Sequence, residues 1–254
     1  MEKLIAELKR LYLPAYTTSP DALARHLLGQ ASVPADLATL DGRVRALAIP
    51  FVRAKGEHGE QHWQRLCDVA NGVQADLGLP APAVSIDGAD GYRLWLSLAA
   101  PVPAEQARRF VDALRDRYCP EMHLPADVVG AQVALPPTLH PRTGKWAAFI
   151  HPGMGGSFAD DPGLEMAPPL AGQLGFLENV ESIAVQDFAQ ALERLAPGRG
   201  GQAEAPAAPA ANDAAPARDT TFPGNLLLRD ATLEDIVRFL HAQGIEPTFR
   251  HVLK

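Results

Sequence analysis

Two short stretches rich in glycine and proline contain most of the residues that could bind a phosphate group. The first is "DGADGYRLW", Asp87 to Trp95, in which Arg93 is the only basic residue. Its glycines, Gly88 and Gly91, permit positive φ and close approach of a ligand to the main chain. These residue types fit an ordinary hairpin turn or a phosphate-binding turn in which Arg93 supplies the positive charge.

The second stretch is "LPPTLHPRTGKW", Leu135 to Trp146, and it is unusually basic for a turn. His140, Arg142 and Lys145 fall within six residues of one another. A bare turn needs only proline and glycine, whereas clustered cationic donors suit a triphosphate or a nucleic-acid backbone. A solvated basic turn remains the alternative interpretation.

Metal-ligand chemistry has weaker support in the sequence. His58 and His62 are four residues apart and could share a helix face, but no third ligand of matching pattern is nearby, so we expect the solvated start of a helix. The two cysteines, Cys67 and Cys119, lie in apolar helical patterns and are predicted to be core thiols. The acidic pairs, 160–161 and 234–235, do not lie on a strand next to the basic turns.

The elements that must position these turns follow from hydrophobic periodicity. Residues 1–39 contain two predicted helices, the second capped by Thr18 or Ser19, and residues 40–196 form the main body. In this body a strand at 43–53, a helix, two strands around the first turn and a helix give the order βαββα. A hairpin around the second turn and a further helix follow. This order predicts an α+β fold.

The last part of the chain has a different composition. Residues 197–224 are rich in alanine and proline and are predicted to be a disordered linker. Residues 225–254 form a short tail with one predicted amphipathic helix, at 232–243, which either docks on the body or binds a protein partner.

Composition restricts the classes of function. The net charge is −7, so any nucleic-acid contact must come from a local basic patch. No apolar run is long enough to span a bilayer, and the N-terminus is not a signal peptide, so we expect no membrane contact and a cytoplasmic protein.

The first turn also resembles a motif of the archaeo-eukaryotic primase superfamily. In that family a Ser-Gly-x-x-Gly-x-His-x-Trp hairpin holds the phosphates of the incoming nucleotide. Gly88, Gly91 and Trp95 match this pattern without gaps, while Asp87 replaces the serine and Arg93 replaces the histidine. The resemblance implies phosphate contacts from this hairpin.

The second turn is similar to the family's Pro-x-x-x-His-x-Lys-Thr-Gly turn. Pro136, His140, Thr143 and Gly144 match, with Arg142 in place of the lysine. The resemblance spans about residues 40–195. It implies a central sheet of the RNA-recognition type flanked by helices, and phosphate binding by Gly88, Gly91, Arg93, His140, Arg142 and Lys145.

The family's metal-binding strand departs from its pattern in this chain. An Asp-x-Asp pair holds the divalent ions in the family, and the corresponding stretch, "LAIPFV", has Pro50 and Val52 instead. Proline is also unusual inside a strand, because it removes a ladder hydrogen bond. Asp127 stands at about the distance of the family's third metal aspartate.

Three hypotheses follow from the resemblance. The favoured one is a catalytically degenerate primase-like protein that binds single-stranded DNA or a nucleoside triphosphate, in DNA replication, a mobile element or defence, with no cofactor. The second is an active primase or nucleotidyltransferase that uses Asp87 and Asp127 with Mg²⁺ or Mn²⁺. The third is a non-enzymatic scaffold that recruits a protein partner through residues 225–254.

Overall fold

The two longest strands, of 10 and 13 residues, pair with each other, and shorter strands and several helices accompany them. The computed structural model describes residues 1–15, 18–57 and 60–196. The strands are β1 (Pro34–Ala35), β2 (Arg43–Val52), β3 (Ala83–Ile86), β4 (Gly91–Pro103), β5 (Val133–Ala134), β6 (Thr138–Leu139) and β7 (Trp146–Ile150). The helices are α1 (Glu2–Leu11), α2 (Pro20–Leu27), α3 (Gln61–Ala75), α4 (Ala104–Tyr118), α5 (Leu170–Leu177) and α6 (Val185–Leu195), with a 3₁₀ helix at Pro152–Phe158.

The main sheet has five strands in the order β2-β4-β3-β7-β6, and all neighbours are antiparallel. Helix α3 connects β2 to β3, and β4 lies between them, which is the arrangement of a split βαβ unit. A separate ribbon pairs β1 with β5. The predicted α+β class and the βαββα order are confirmed.

The two faces of the sheet are covered by different helices. On one face, Leu47 and Ile49 of β2 and Leu94 and Leu96 of β4 belong to a core shared with α3, α4 and α6. On the other face, Trp95 and its neighbours pack with α1, α2 and α5. Side chains alternate between faces along a strand, so β4, which is buried on both sides, is apolar almost throughout.

Pro50 lies in an edge strand, and this position explains why β2 tolerates it. Among the described residues, β2 has a ladder neighbour, β4, on one side only, and a single bridge from Ala38 meets its other side at Val44. Near Pro50, half of the N–H groups of β2 therefore point away from the ladder. Pro50 is directly opposite Arg93, and the pairing continues without a shift to Val52 and Gly91. The only irregularity in this pairing falls between Val44 and Ala46.

The N-terminal helices form where the sequence predicts them. The hydroxyl of Ser19 accepts a hydrogen bond from the Ala22 N–H at 3.2 Å, which makes Ser19 the cap of α2. Three further features were not predicted: α5, the β1–β5 ribbon and the 3₁₀ helix. The domain boundaries at 39/40 and 196/197 stay predictions.

The linker at 197–224 and the tail at 225–254 lie outside the described residues, so the predicted partner-binding helix also stays a prediction. Within residues 1–15, 18–57 and 60–196, no helix has the length and apolar character needed to cross a membrane.

Candidate functional site

The first turn is shaped by the Asp87 side chain. One carboxylate oxygen of Asp87 accepts hydrogen bonds from the N–H groups of Ala89, Asp90 and Gly91, at 2.8, 3.1 and 3.1 Å. Burial raises the pKa of Asp87, and the bonds from Ala89 and Gly91 oppose that rise. Asp87 therefore closes the hairpin between β3 and β4.

The two predicted turns pack directly against each other through Gly88. The hydroxyl of Thr143 donates to the carbonyl of Gly88 at 2.6 Å. Gly88 has φ of +80°, and a Cβ added there would lie 3.0 Å from the Lys145 carbonyl oxygen and 3.1 Å from the Ala147 nitrogen. A glycine is therefore required for both conformation and space.

Gly91 has a different structural reason to be glycine. A Cβ at Gly91 would lie 2.5 Å from the carbonyl oxygen of Phe51 on β2. Its lack of a side chain allows β4 to approach β2 at the end of the ladder. This close approach positions Arg93, two residues further along β4.

A cavity of about 240 Å³ opens between the two turns. Asp87 and Arg93 line it from the first turn, and His140 lines it from the second. The other lining residues are Ser32, Ser85, Ile86, Ala134, Pro136, Thr138, Leu139, Pro141 and Ala147. The fold thus brings together two sequence motifs that are about fifty residues apart.

Arg93 is the main positive charge of this cavity. Its guanidinium is partly buried and makes no hydrogen bond or ion pair with the residues that the structure describes. Burial lowers the pKa of Arg93, and the Asp87 carboxylate opposes this effect. Arg93 therefore faces the cavity as a cation with unused donors.

The three basic residues of the second turn have different surroundings. His140 lines the cavity, with its Nδ1 atom 3.2 Å from the Thr143 hydroxyl. Lys145 binds the carboxylates of Asp161 and Glu165, the latter at 3.0 Å, and these bonds raise its pKa. Arg142 is exposed. Neither Arg142 nor Lys145 is among the residues that line the cavity.

The residues present do not fit the divalent ions that the sequence resemblance implies. Pro50 and Val52, at the positions predicted to hold those ions, have side chains without a ligand atom. Asp127 is exposed in a turn and does not line the cavity, so it is not grouped there with Asp87. In the described part of the chain, no three histidine, cysteine or acidic side chains are grouped so that they could hold a metal ion.

The prediction of a solvated helix start is wrong for His62. His62 is 0% exposed, and its ring lies 5.2 Å from that of Tyr92 on the sheet face covered by α3. Its burial comes from packing between α3 and the sheet. His58 lies outside the described residues.

The predicted core thiols are free, as expected. Both lie in the core shared with α3, α4 and α6: Cys119 is 1% exposed, and Cys67 is partly buried. Burial raises the pKa of each thiol to about 11.

Thr138, a hydroxyl residue of the second turn, is 3% exposed and lines the cavity. Two other residues at the cavity were not predicted from the sequence. Ser32 lies at the exposed rim. His26 anchors two lining segments, because its Nε2 donates to the Leu135 carbonyl at 2.7 Å and its Nδ1 accepts from the Val33 N–H at 3.0 Å. Neither Ser32 nor His26 is close in sequence to the two turns, so the motif pattern gave no signal for them.

Comparisons with known proteins identify no family by sequence. No protein-family model matches the chain, and no curated protein matches it. Among solved structures, the polymerase domain of Mycobacterium tuberculosis ligase D in complex with DNA is similar over 65% of this chain, at 16% identity and a TM-score of 0.36. The match spans 58% of that domain, which is less than two thirds of its length.

A second similar structure is the AEP domain of the primase-polymerase from cyanophage S-2L. The similarity covers 69% of this chain and 97% of that one, at 13% identity and a TM-score of 0.37.

Proposed function

We propose that residues 40–196 form a primase-like module that binds the phosphate of a nucleotide or nucleic acid in the cavity between the two turns. The observation that carries the proposal is the position of Arg93. Its guanidinium faces the cavity without a hydrogen-bond partner among the described residues, and His140 lines the same cavity from the second turn.

The energetics of a partly buried guanidinium favour an anionic ligand. Withdrawing a charge from water is unfavourable unless hydrogen bonds replace the lost hydration. A phosphate oxygen accepts the charge-assisted hydrogen bonds that Arg93 does not make within the protein. The fixed charge of arginine also makes this contact independent of pH in the physiological range.

We further propose that the module has lost metal-dependent nucleotidyl transfer. Two-metal catalysis requires carboxylates that hold both ions at the reacting phosphate. Pro50 is directly opposite Arg93 in the ladder, and Val52 is opposite Gly91. Two side chains without ligand atoms therefore occupy the part of the sheet next to the proposed phosphate site.

A binding assay with a charge-matched control tests the first part of the proposal. Arg93→Gln should weaken binding of a fluorescent oligonucleotide or of a nucleoside triphosphate at least tenfold at low salt. Arg109→Gln removes the same charge from an exposed position on α4, against the other sheet face, and should leave binding unchanged. Equal binding by the wild type and both variants would exclude the site.

A primer-synthesis assay tests the second part. Template, triphosphates and either Mg²⁺ or Mn²⁺ should give no product with the wild-type protein. Product that disappears in Asp127→Ala would instead support an active enzyme with relocated acids.

A further inference from the structure

The cavity contains fewer positive charges than a triphosphate site requires. Of the three cations in the two motifs, only Arg93 lines it. Lys145 is held by Asp161 and Glu165, and Arg142 is exposed beyond the lining. One guanidinium balances one negative charge, whereas a triphosphate without metal ions carries several.

A carboxylate within the cavity reduces its net positive charge further. Asp87 lines the same cavity as Arg93 and interacts with it electrostatically. One oxygen of Asp87 is occupied by backbone N–H groups, but its charge still repels an anion that extends toward it. A ligand with a single negative charge can contact Arg93 without placing a second negative charge near the Asp87 carboxylate.

Neutral donors complete the arrangement around Arg93. The hydroxyl of Thr138 has no hydrogen-bond partner among the described residues, although this residue is 3% exposed. Ser32 adds another hydroxyl at the rim, and the Nε2 atom of His140 makes no hydrogen bond within the described part of the chain. Hydroxyl and imidazole groups can hydrogen-bond phosphate oxygens without adding a fixed charge.

The size and opening of the cavity also favour a small, single phosphate. Its volume, about 240 Å³, lies below the roughly 300–1,000 Å³ that is usual for sites of drug-sized ligands. Two lining residues, Ser32 and Pro141, are exposed, so the cavity opens to solvent beside them. A chain that enters with one phosphate can continue outward past this rim.

We infer that the cavity takes one phosphodiester of a single-stranded nucleic acid rather than the triphosphate of a free nucleotide. This inference rests on the proposed phosphate-binding function and specifies its ligand. Arg93 neutralises the single charge of the diester, Thr138 and His140 bind its oxygens, and the neighbouring nucleotides lie outside the cavity.

The decisive experiment compares ligands that differ in phosphate charge. Binding of fluorescent dT8 and U8 is measured in the presence of EDTA, with competition by the dinucleotide TpT, its uncharged methylphosphonate analogue and dTTP. We expect TpT to compete at least tenfold better than the methylphosphonate and better than dTTP. The two labelled oligomers distinguish DNA from RNA as the source of the diester.

Matched variants connect this result to the cavity. Arg93→Gln should abolish the preference for TpT over its methylphosphonate, whereas Arg109→Gln should preserve it. Thermal unfolding of both variants verifies that they are folded, and Thr138→Val provides a second cavity variant that removes no charge.

The two ways in which the inference can fail are distinguishable. If dTTP competes better than TpT and this depends on Arg93, the cavity binds triphosphates: the inference is overturned while the proposed function stands. If no ligand binds in an Arg93-dependent manner, the proposed function itself is wrong, and the inference falls with it.

Discussion

At the scale of single residues, the two motif glycines have structural roles that do not depend on a ligand. Gly88 adopts a left-handed conformation in contact with the backbone of the second turn, and Gly91 allows β4 to approach Phe51. These two glycines therefore help to set the geometry that brings Arg93 and His140 to one cavity. Their proposed contribution to phosphate binding is therefore indirect, through the positions of Arg93 and His140.

Alanine substitution separates conformational strain from steric contact at Gly88. Gly88→Ala should lower the free energy of unfolding by about 2–4 kcal/mol, because it combines positive φ with a contact at 3.0 Å. Gly144→Ala is the matched control, with φ of +70° and no atom within 4 Å of its Cβ, and should cost about 1 kcal/mol. Urea denaturation measures both, and equal losses would contradict the packing of the two turns.

Thr138 provides a residue-scale test of the ligand contact. Thr138→Val keeps the shape of the side chain and removes a hydroxyl without a protein partner, so stability should be maintained while oligonucleotide affinity falls about three- to tenfold. Ser85→Ala is the contrasting variant, because it removes the acceptor of the Trp95 indole N–H and should lower stability. Unchanged affinity in Thr138→Val would exclude its contact with the phosphate.

At the scale of elements, His26 connects α2 to the wall of the cavity. Both ring nitrogens are used in the neutral form: Nε2 donates to Leu135, and Nδ1 accepts from Val33. Burial lowers the pKa of His26, although the bond to Leu135 opposes this effect. Protonation of Nδ1 would place two donors opposite each other and break the contact with Val33.

The pH dependence of stability follows from this arrangement. Below about pH 6.5, the usual histidine pKa, the unfolded chain gains a proton that folded His26 does not accept, so stability falls as the pH is lowered. His62, whose pKa is also lowered by burial, acts in the same direction. Urea denaturation at pH 7.5 and pH 5.5 should show a smaller acid-dependent loss in His26→Phe than in the wild type. An equal loss would mean that His26 does not contribute.

The element scale also explains how much of the fold was predictable from the sequence. The long helices have a clear period of 3.6 residues, and the main strands are short apolar runs bounded by turn residues, so their order was predictable. The edge position of β2, which explains Pro50, depends on strand order and on contacts that are distant in sequence. Helix α5 was missed because it carries Gly172 and Gly175 and buries only Gln173 and Leu177, leaving no clear apolar stripe.

Part of the site was predictable and part was not. The motif pattern selected Arg93 and His140, and both line the cavity. The pattern could not indicate that Lys145 is neutralised, because Asp161 and Glu165 reach it from a loop without a motif. His62 was misassigned because its burial depends on the sheet beneath α3.

At the scale of the whole molecule, the charge distribution determines how binding responds to salt. The chain has a net charge of −7, so long-range attraction does not assist a polyanion. For single strands, log K falls with log[salt] with a slope of about −0.7 for each phosphate that is neutralised. One buried contact from Arg93 therefore predicts a slope near −0.7, in contrast with the steep dependence of a broad basic surface.

Titration of dT8 from about 25 to 200 mM salt measures this slope. The wild type and Arg109→Gln should both give about −0.7, and Arg93→Gln should give a slope near zero with weaker binding, because its single phosphate contact is lost. A slope of about −3 or steeper, or one that does not change in Arg93→Gln, would show that the nucleic acid binds across several cations elsewhere on the chain. The slope would then count phosphates that are bound by that surface and not by the cavity between the two turns.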